Sequence, residues 1–498
     1  MRIRLALCLL LCVIALVPTG PNVEARVLAT TSCTSMPLTG VLLLRPVNSI
    51  GTALRGLIAI DPATGDRIGE IDVPLIDDAF PTALPGKAIA ISGNELYLVD
   101  TSDFSATPVS LGKGNAADLS PNQVQFRGTA GTRFMLFGSP SFDQVYLIDV
   151  QLGVATDLSV LIPTPSPDSP VVLSFAAVTP DDAHVLAWDG RHVYVFETEN
   201  PTGARQVDTG AFAFAPDFSP DGSELIYSTS DGPGSGSTLI LESFDGSDSQ
   251  VIRSSAHAQV TLWIPGGRTL FVDERTEDGA AAGIAFVLDL ETGEETRLIS
   301  YSGSLTSVQL SADGEHALLG VEMMGGGDWS IANLATGDVV DLPQLAGGKA
   351  LPGLYADAPW SLVVPFGEDS DPLAGPSYRG VNLDTGEVGR LLEQSPDLQF
   401  VQQPLLSSDG RYSLVIGQTD SRQTLWLLDA EALQATQIAE GPTVTAQFSP
   451  DGCQVAVTRE SRVDGFSSFA VSIVASEAST AATMAETYGS SQYAAWVR

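Results

Sequence analysis

Phe218-Ser219-Pro220-Asp221-Gly222-Ser223-Glu224-Leu225-Ile226-Tyr227 returns near the end of the chain as Phe448-Ser449-Pro450-Asp451-Gly452-Cys453-Gln454-Val455-Ala456-Val457. Pro and Asp pre-set the first positions of a tight turn and Gly takes the positive-φ position, so Pro-Asp-Gly joins two antiparallel strands. Weaker copies stand at Val178-Thr179-Pro180-Asp181-Asp182, Ile264-Pro265-Gly266-Gly267, Leu310-Ser311-Ala312-Asp313-Gly314, Tyr355-Ala356-Asp357-Ala358 and Leu406-Ser407-Ser408-Asp409-Gly410. The aligned turn positions 182, 222, 267, 314, 358, 410 and 452 recur about every 45 residues, and degenerate copies near Gly131 and Gly86 extend the series upstream. A second phrase recurs between them, an apolar strand ending in an acidic turn. Examples are Leu57-Ile58-Ala59-Ile60-Asp61-Pro62-Ala63-Thr64-Gly65, Phe286-Val287-Leu288-Asp289-Leu290-Glu291-Thr292-Gly293 and Asn382-Leu383-Asp384-Thr385-Gly386. Each repeat therefore holds four short strands.

Four-stranded units of about 45 residues are the period of β-propeller blades. Helical spacing of apolar residues is missing from every repeat, which argues against an α-solenoid, and a parallel β-helix needs far shorter coils. The expected fold is all-β: a propeller of eight to ten four-stranded units. Strand sets begin near 41, 84, 123, 172, 211, 258, 306, 352, 401 and 443. Ordinary propellers have four to eight blades. The count therefore leaves three readings: one unusually large ring, two rings, or an early unit that is not a full blade.

The ends of the chain suggest how the ring is sealed. Val41 to Pro46, Leu57 to Asp61 and Arg67 to Val73 supply three strands with no leading one. The last residues, from Gln492 to Arg498, look like the strand that elsewhere precedes a Pro-Asp-Gly turn, with Trp496 one period after Phe448. Tyr493 to Val497 is thus expected to complete the first blade and remove two exposed sheet edges.

The Phe-Ser-Pro-Asp-Gly turn resembles that of the TolB-like propeller repeats. The resemblance covers roughly residues 170 to 475 and is weak in the first third. It implies a propeller fold and is compatible with periplasmic scaffolds, extracytoplasmic binding modules and propellers fused to peptidases. A peptidase needs its own domain with a Gly-x-Ser-x-Gly elbow. That pentapeptide is absent, Gly232-Pro233-Gly234-Ser235-Gly236 has its Ser one place late, and the repeats fill nearly the whole chain.

Met1-Arg2-Ile3-Arg4 followed by thirteen apolar residues, Leu5 to Val17, has the charged and apolar regions of a secretory signal, and Val23-Glu24-Ala25 offers small residues for cleavage. Thirteen apolar residues fall short of the ~20 needed for a membrane span. The expected organisation is residues 1–25 as cleaved signal, 26–37 as linker and 38–498 as propeller, secreted or periplasmic. Cleavage leaves two cysteines, Cys33 and Cys453, which form a candidate structural disulfide in an oxidising compartment. Two unrelated buried thiols are the alternative.

Acidic residues number 60 and basic residues 24, a formal net charge of −36. Such a field repels phosphate backbones and anionic lipid, which excludes nucleic acid and stable membrane insertion from the expected partners. Only Lys87, Lys113 and Lys349 are lysines, so high-salt adaptation and codon bias plus turn-forming Asp both remain readings of the acidity.

The four histidines are His184, His192, His257 and His316. His184 and His316 stand just after the turn of two different repeats, which reads as a tolerated exposed position, and His192 opens a strand. No catalytic, cofactor or metal residue is assigned, and no cofactor is expected. Calcium stays open because Glu368-Asp369-Ser370-Asp371 and Asp245-Gly246-Ser247-Asp248 place oxygen ligands close together, though neither has the EF-hand pattern. The expected function is a monomeric, non-catalytic binding or scaffold propeller that recognises a protein or small ligand at the channel mouth. The alternative is a propeller enzyme, lactonase- or quinoprotein-like, with a carboxylate-bound metal at the central channel.

Overall fold

The computed structural model describes residues 40–47, 54–111, 133–139, 144–162, 172–207, 212–232, 235–265, 267–276, 282–311, 313–323, 326–345, 348–350, 360–365, 378–392, 399–400, 405–407, 411–418, 422–449, 451–463, 466–476, 483–487 and 491–497. The expected signal and linker lie outside them. The chain is all-β. Helix is confined, among the described residues, to two 3₁₀ turns at Ser159–Leu161 and Pro343–Leu345.

Among the described residues the strands assemble into ten antiparallel sheets that follow one another along the chain, over 41–75, 78–109, 134–157, 175–206, 212–255, 258–302, 304–341, 348–392, 399–441 and 444–487. Eight are four-stranded, and the ninth carries a fifth short strand, Leu405–Leu406, beside Tyr412–Gln418. Three described strands make the third sheet, and its expected leading strand, near 123, lies outside the described residues. The second sheet opens at Asp78, earlier than the expected start near 84. Its first strand, Asp78–Pro81, is short, and its aromatic, Phe80, stands one place before the motif's position: Pro81 precedes Thr82, whose N–H returns to the Lys87 carbonyl as that of Ser219 returns to Glu224.

The first sheet takes its fourth strand from the other end of the chain. Ser491–Val497 pairs antiparallel with Val41–Pro46, in the register Val41 to Val497, Leu42 to Trp496 and Leu44 to Tyr493, with an irregularity between Leu43 and Leu44. Trp496 and Leu43 are fully buried.

Burial follows the alternation of each strand, one row of side chains facing the preceding sheet and the other facing the next. The result, among the described residues, is ten apolar clusters, each joining two neighbouring sheets. Ile89 and Leu96 of the second meet Phe137 and Tyr146 of the third. Leu186 and Trp188 of the fourth meet Phe218 and Tyr227 of the fifth, and Leu318 and Trp329 of the seventh meet Val381 and Leu383 of the eighth. The remaining pairs repeat the pattern. The first sheet packs on the second through Leu43, Ile71, Ala88 and Val99. It packs on the tenth through Leu42, Trp496, Ala456 and Ile473.

In each meander the turn between first and second strands and that between third and fourth strands share one end of the sheet. Gly314, at φ +71°, shows how closely these turns nest: a Cβ there would stand 2.4 Å from the carbonyl oxygen of Pro265 in the preceding sheet. Gly293 has the same φ with open space around it. Gly293→Ala is expected to cost only the left-handed backbone, about 1–2 kcal/mol. Gly314→Ala should exceed it, because a backbone atom must also move. Urea denaturation of the two variants checks the order; equal losses would contradict the nesting.

Candidate functional site

The polar residues of the repeat motif are occupied by the turn itself. Ser219 Oγ donates to Asp221 Oδ1 at 2.6 Å and accepts from the Glu224 N–H at 2.9 Å, while Asp221 Oδ1 accepts from the Ser223 N–H at 3.1 Å. The Ser219 hydroxyl, before the Ser223 N–H, holds the Asp221 carboxyl below its ordinary value. Ser311 and Asp313 repeat the arrangement with Glu315 and His316, and Thr179 and Asp181 do so with Ala183 and His184. At the third-to-fourth-strand turn, Asp289 Oδ1 accepts from the N–H groups of Glu291 and Thr292 at 2.9 and 2.8 Å. Asp149, Asn333, Asn382 and Asp429 do the same in their sheets. Much of the acidity is therefore turn chemistry.

The calcium candidate at 245–248 belongs to this class. Asp245 Oδ1 accepts from the Ser247 N–H and the Ser243 hydroxyl, both at 2.8 Å, and these contacts, the Ser247 side chain foremost, lower its carboxyl to about 2. The candidate at 368–371 lies outside the described residues.

The histidines require a correction. His184 and His316 do occupy equivalent places, but neither is simply exposed, because the third-to-fourth-strand turn of the following sheet covers each ring. His184 stacks on Phe244, with ring centroids 4.9 Å apart, and desolvation lowers its pKa. The Nδ1 atoms of both rings are buried without a hydrogen-bond partner. His192 Nδ1 lies 3.0 Å from Gln206 Nε2, and its ring meets Tyr194 edge-on.

His316 is where residues from two sheets converge into a group that can hold a metal ion. Asp313 and His316 come from the first turn of the seventh sheet, and Asp384 comes from the Asn382–Gly386 turn of the eighth. One ligand atom from each lies within 4.8 Å of the others. His316 Nδ1 is 4.0 Å from Asp384 Oδ1, and its Nε2 lies 3.4 Å from the Asn333 amide nitrogen. The Asp384 carboxyl is raised above its ordinary value by burial and by repulsion from Asp313 and Glu315, against the pull of His316. Sequence reading missed this group because Asp384 looks like any turn acid until the two sheets are set side by side.

Buried acids form a second set that the sequence did not single out. Burial pushes the Asp273 carboxyl up, although Arg275 Nε stands 2.7 Å from Oδ2 and the Tyr301 hydroxyl donates to Oδ1. Glu242 accepts from Arg205 at 2.6 Å and from the Tyr227 hydroxyl at 2.9 Å. Each carboxylate has its own cation, which makes these groups fixed parts of the sheet contacts.

At the opposite end of the sheets, Arg191 lies over the ring of Phe212, 5.1 Å from its centroid, and Phe212 is 39% exposed. Cys453, just past its turn, is disulfide-bonded. Its expected partner, Cys33, lies outside the described residues.

No family model matches the chain, and no curated protein matches it. Solved structures are similar to it at low identity. A eukaryotic initiation factor is 13% identical over 91% of this chain and 97% of its own, with a TM-score of 0.44. Oligogalacturonate lyase in complex with manganese is 14% identical over 72% and 96%, at 0.40. TolB from Acinetobacter baumannii is 16% identical over 61% and 77%, at 0.27. No helix among the described residues is long and apolar enough to cross a membrane.

Proposed function

We propose that this chain is a secreted or periplasmic β-propeller whose ten sheets are the blades of one ring, and that it binds a protein or small ligand at the channel mouth without catalysis. The cyclic succession of apolar clusters, ending on the contact between the tenth and first sheets, carries the reading. Two separate rings would need a break in that succession. The TolB-like kinship of the turns, the cleaved signal and the Cys33–Cys453 bond belong to the same proposal.

A ring held by apolar seams on every side gives its loops a rigid frame, and loops on rigid frames are where binding residues concentrate. The end that bears the second-to-third-strand loops carries the exposed Phe212 beneath Arg191, a contact suited to an aromatic or anionic group on a ligand. The net charge of −36 favours a partner with a basic surface. An enzyme with a channel metal would want its carboxylates on the first strands. The metal-capable group instead joins the start of a second strand to a third-to-fourth-strand turn, which supports the non-catalytic reading.

Photo-crosslinking tests it. A photoreactive residue at Phe212 or Asp231, on the loop end, should capture a partner from an extract of the source cells. The same residue at Asp221 or Glu291, on the turn end, should not. Adducts from the turn end alone, or equally from both ends, would overturn the placement.

A further inference from the structure

We propose that Asp313, His316 and Asp384 bind a divalent cation of the zinc or manganese class that clasps the seventh sheet to the eighth. An imidazole nitrogen with two carboxylates is a donor set that borderline zinc takes and that harder manganese also accepts. Donors around a tetrahedral ion at these bond lengths stand about 3.3–3.6 Å apart. The 4.0 Å between His316 Nδ1 and Asp384 Oδ1 closes to that with a small side-chain rotation. Asp313 Oδ1 holds its turn, and its second oxygen remains for a ligand. Water completes the shell on the exposed side.

The repeat supplies its own control. The seam between the fourth and fifth sheets has the same three residues in the same places: Asp181, His184 and, from the following turn, Asp245. There the protein provides the cation. Arg205, paired with Val195 in the last strand of the fourth sheet, reaches across to Glu242 at 2.6 Å and to the Phe244 carbonyl, and its charge acts on His184 and Asp245. The register makes Val340, paired with Ile331, the counterpart of Arg205 in the seventh sheet: Val207 N–H returns to the Val193 carbonyl as Leu342 N–H returns to that of Trp329. Val340 is 58% exposed and brings no charge. Other seams are also bridged by arginine, as in Arg268 to Glu224 at 2.8 Å and Arg133 to Glu199 at 2.6 Å. Among the described residues, Asp313, Glu315 and Asp384 have no arginine or lysine partner. The buried, unpartnered Nδ1 of His316 faces this uncompensated charge. A bound cation supplies at this seam what a guanidinium supplies at the other.

Zinc, manganese and calcium, each added alone to chelator-treated protein, are followed by calorimetric titration and by melting temperature. Zinc or manganese should bind at one equivalent and raise the melting temperature. His316→Ala and Asp384→Asn, which remove direct ligands, should each weaken binding by more than the roughly tenfold to hundredfold lost with an outer-shell partner. Val340→Arg should abolish the metal-dependent rise while melting, in chelator, at or above the unsubstituted protein. This last variant keeps every proposed ligand, so it separates cation replacement from ligand loss. The proposal is overturned if no ion shifts the melting temperature, if binding is unchanged in His316→Ala or Asp384→Asn, or if Val340→Arg binds as before. Binding of calcium alone, indifferent to His316, would also overturn it.

Discussion

Removal of residues 492–498 is expected to lower the stability of the whole molecule and not merely to fray one end. The deletion takes the fourth strand from the first sheet and exposes the hydrogen-bonding edge of Val41–Pro46. It also withdraws Ala495 and Val497 from the cluster shared with the second sheet and Trp496 from the cluster shared with the tenth. Trp496→Ala alone should cost about 3–5 kcal/mol, the usual range for emptying a buried aromatic site. The truncation, which loses the strand pairing as well, should cost more and lower the melting temperature of every cooperative unit together. Calorimetry of the truncated and full-length proteins checks this. Identical melting curves would mean that the pairing of the chain ends bears no load.

Loss of the disulfide should be nearly as costly. Cys453 is bonded, and we pair it with Cys33, a separation of 420 residues. In the chain-entropy account, cross-linking so long a loop restricts the unfolded chain by roughly 3–5 kcal/mol, though part of such effects is enthalpic. Cys33→Ser and Cys453→Ser should each show that loss in urea denaturation, and the double variant should lose no more than either single one. Peptide mapping without reduction should recover Cys33 joined to Cys453. Full stability of Cys33→Ser, or Cys453 recovered with Cys8 or Cys12, would rule out the pairing.

Most of the architecture was legible because the turn chemistry repeats. Ser219, Asp221 and Gly222 are demanded by one local geometry, so their recurrence marks where strands meet whatever the intervening side chains are. The pairing of Tyr493 to Val497 with the first sheet was legible for a related reason: each end of the chain lacked what the other offered. The second sheet was placed late because Phe80 and Pro81 stand out of the motif's spacing and no Pro-Asp-Gly follows them, and strand propensity alone is weak over four positions.

The candidate metal group was half legible. The equivalence of His184 and His316 is visible in the repeats, but the covering of their rings depends on the next sheet in each case. Asp384 lies 71 residues beyond Asp313, in a turn that looks like every other acidic turn. The substitution of Val340 for Arg205 is hidden altogether in the sequence, because the strands between differ in length and only the hydrogen-bond register aligns them.

The union of the two chain ends in one sheet also sets a schedule for biosynthesis. Strands Val41–Pro46, Arg55–Ile60 and Arg67–Leu75 leave the ribosome nine sheets ahead of the strand that completes theirs, Ser491–Val497. At ordinary elongation rates that interval is on the order of 25–100 s. Throughout it, the nascent first sheet presents an unpaired edge of Val41–Pro46, a template for association with other chains. A chaperone that shields this one edge during synthesis would protect the molecule better than one acting on any later sheet.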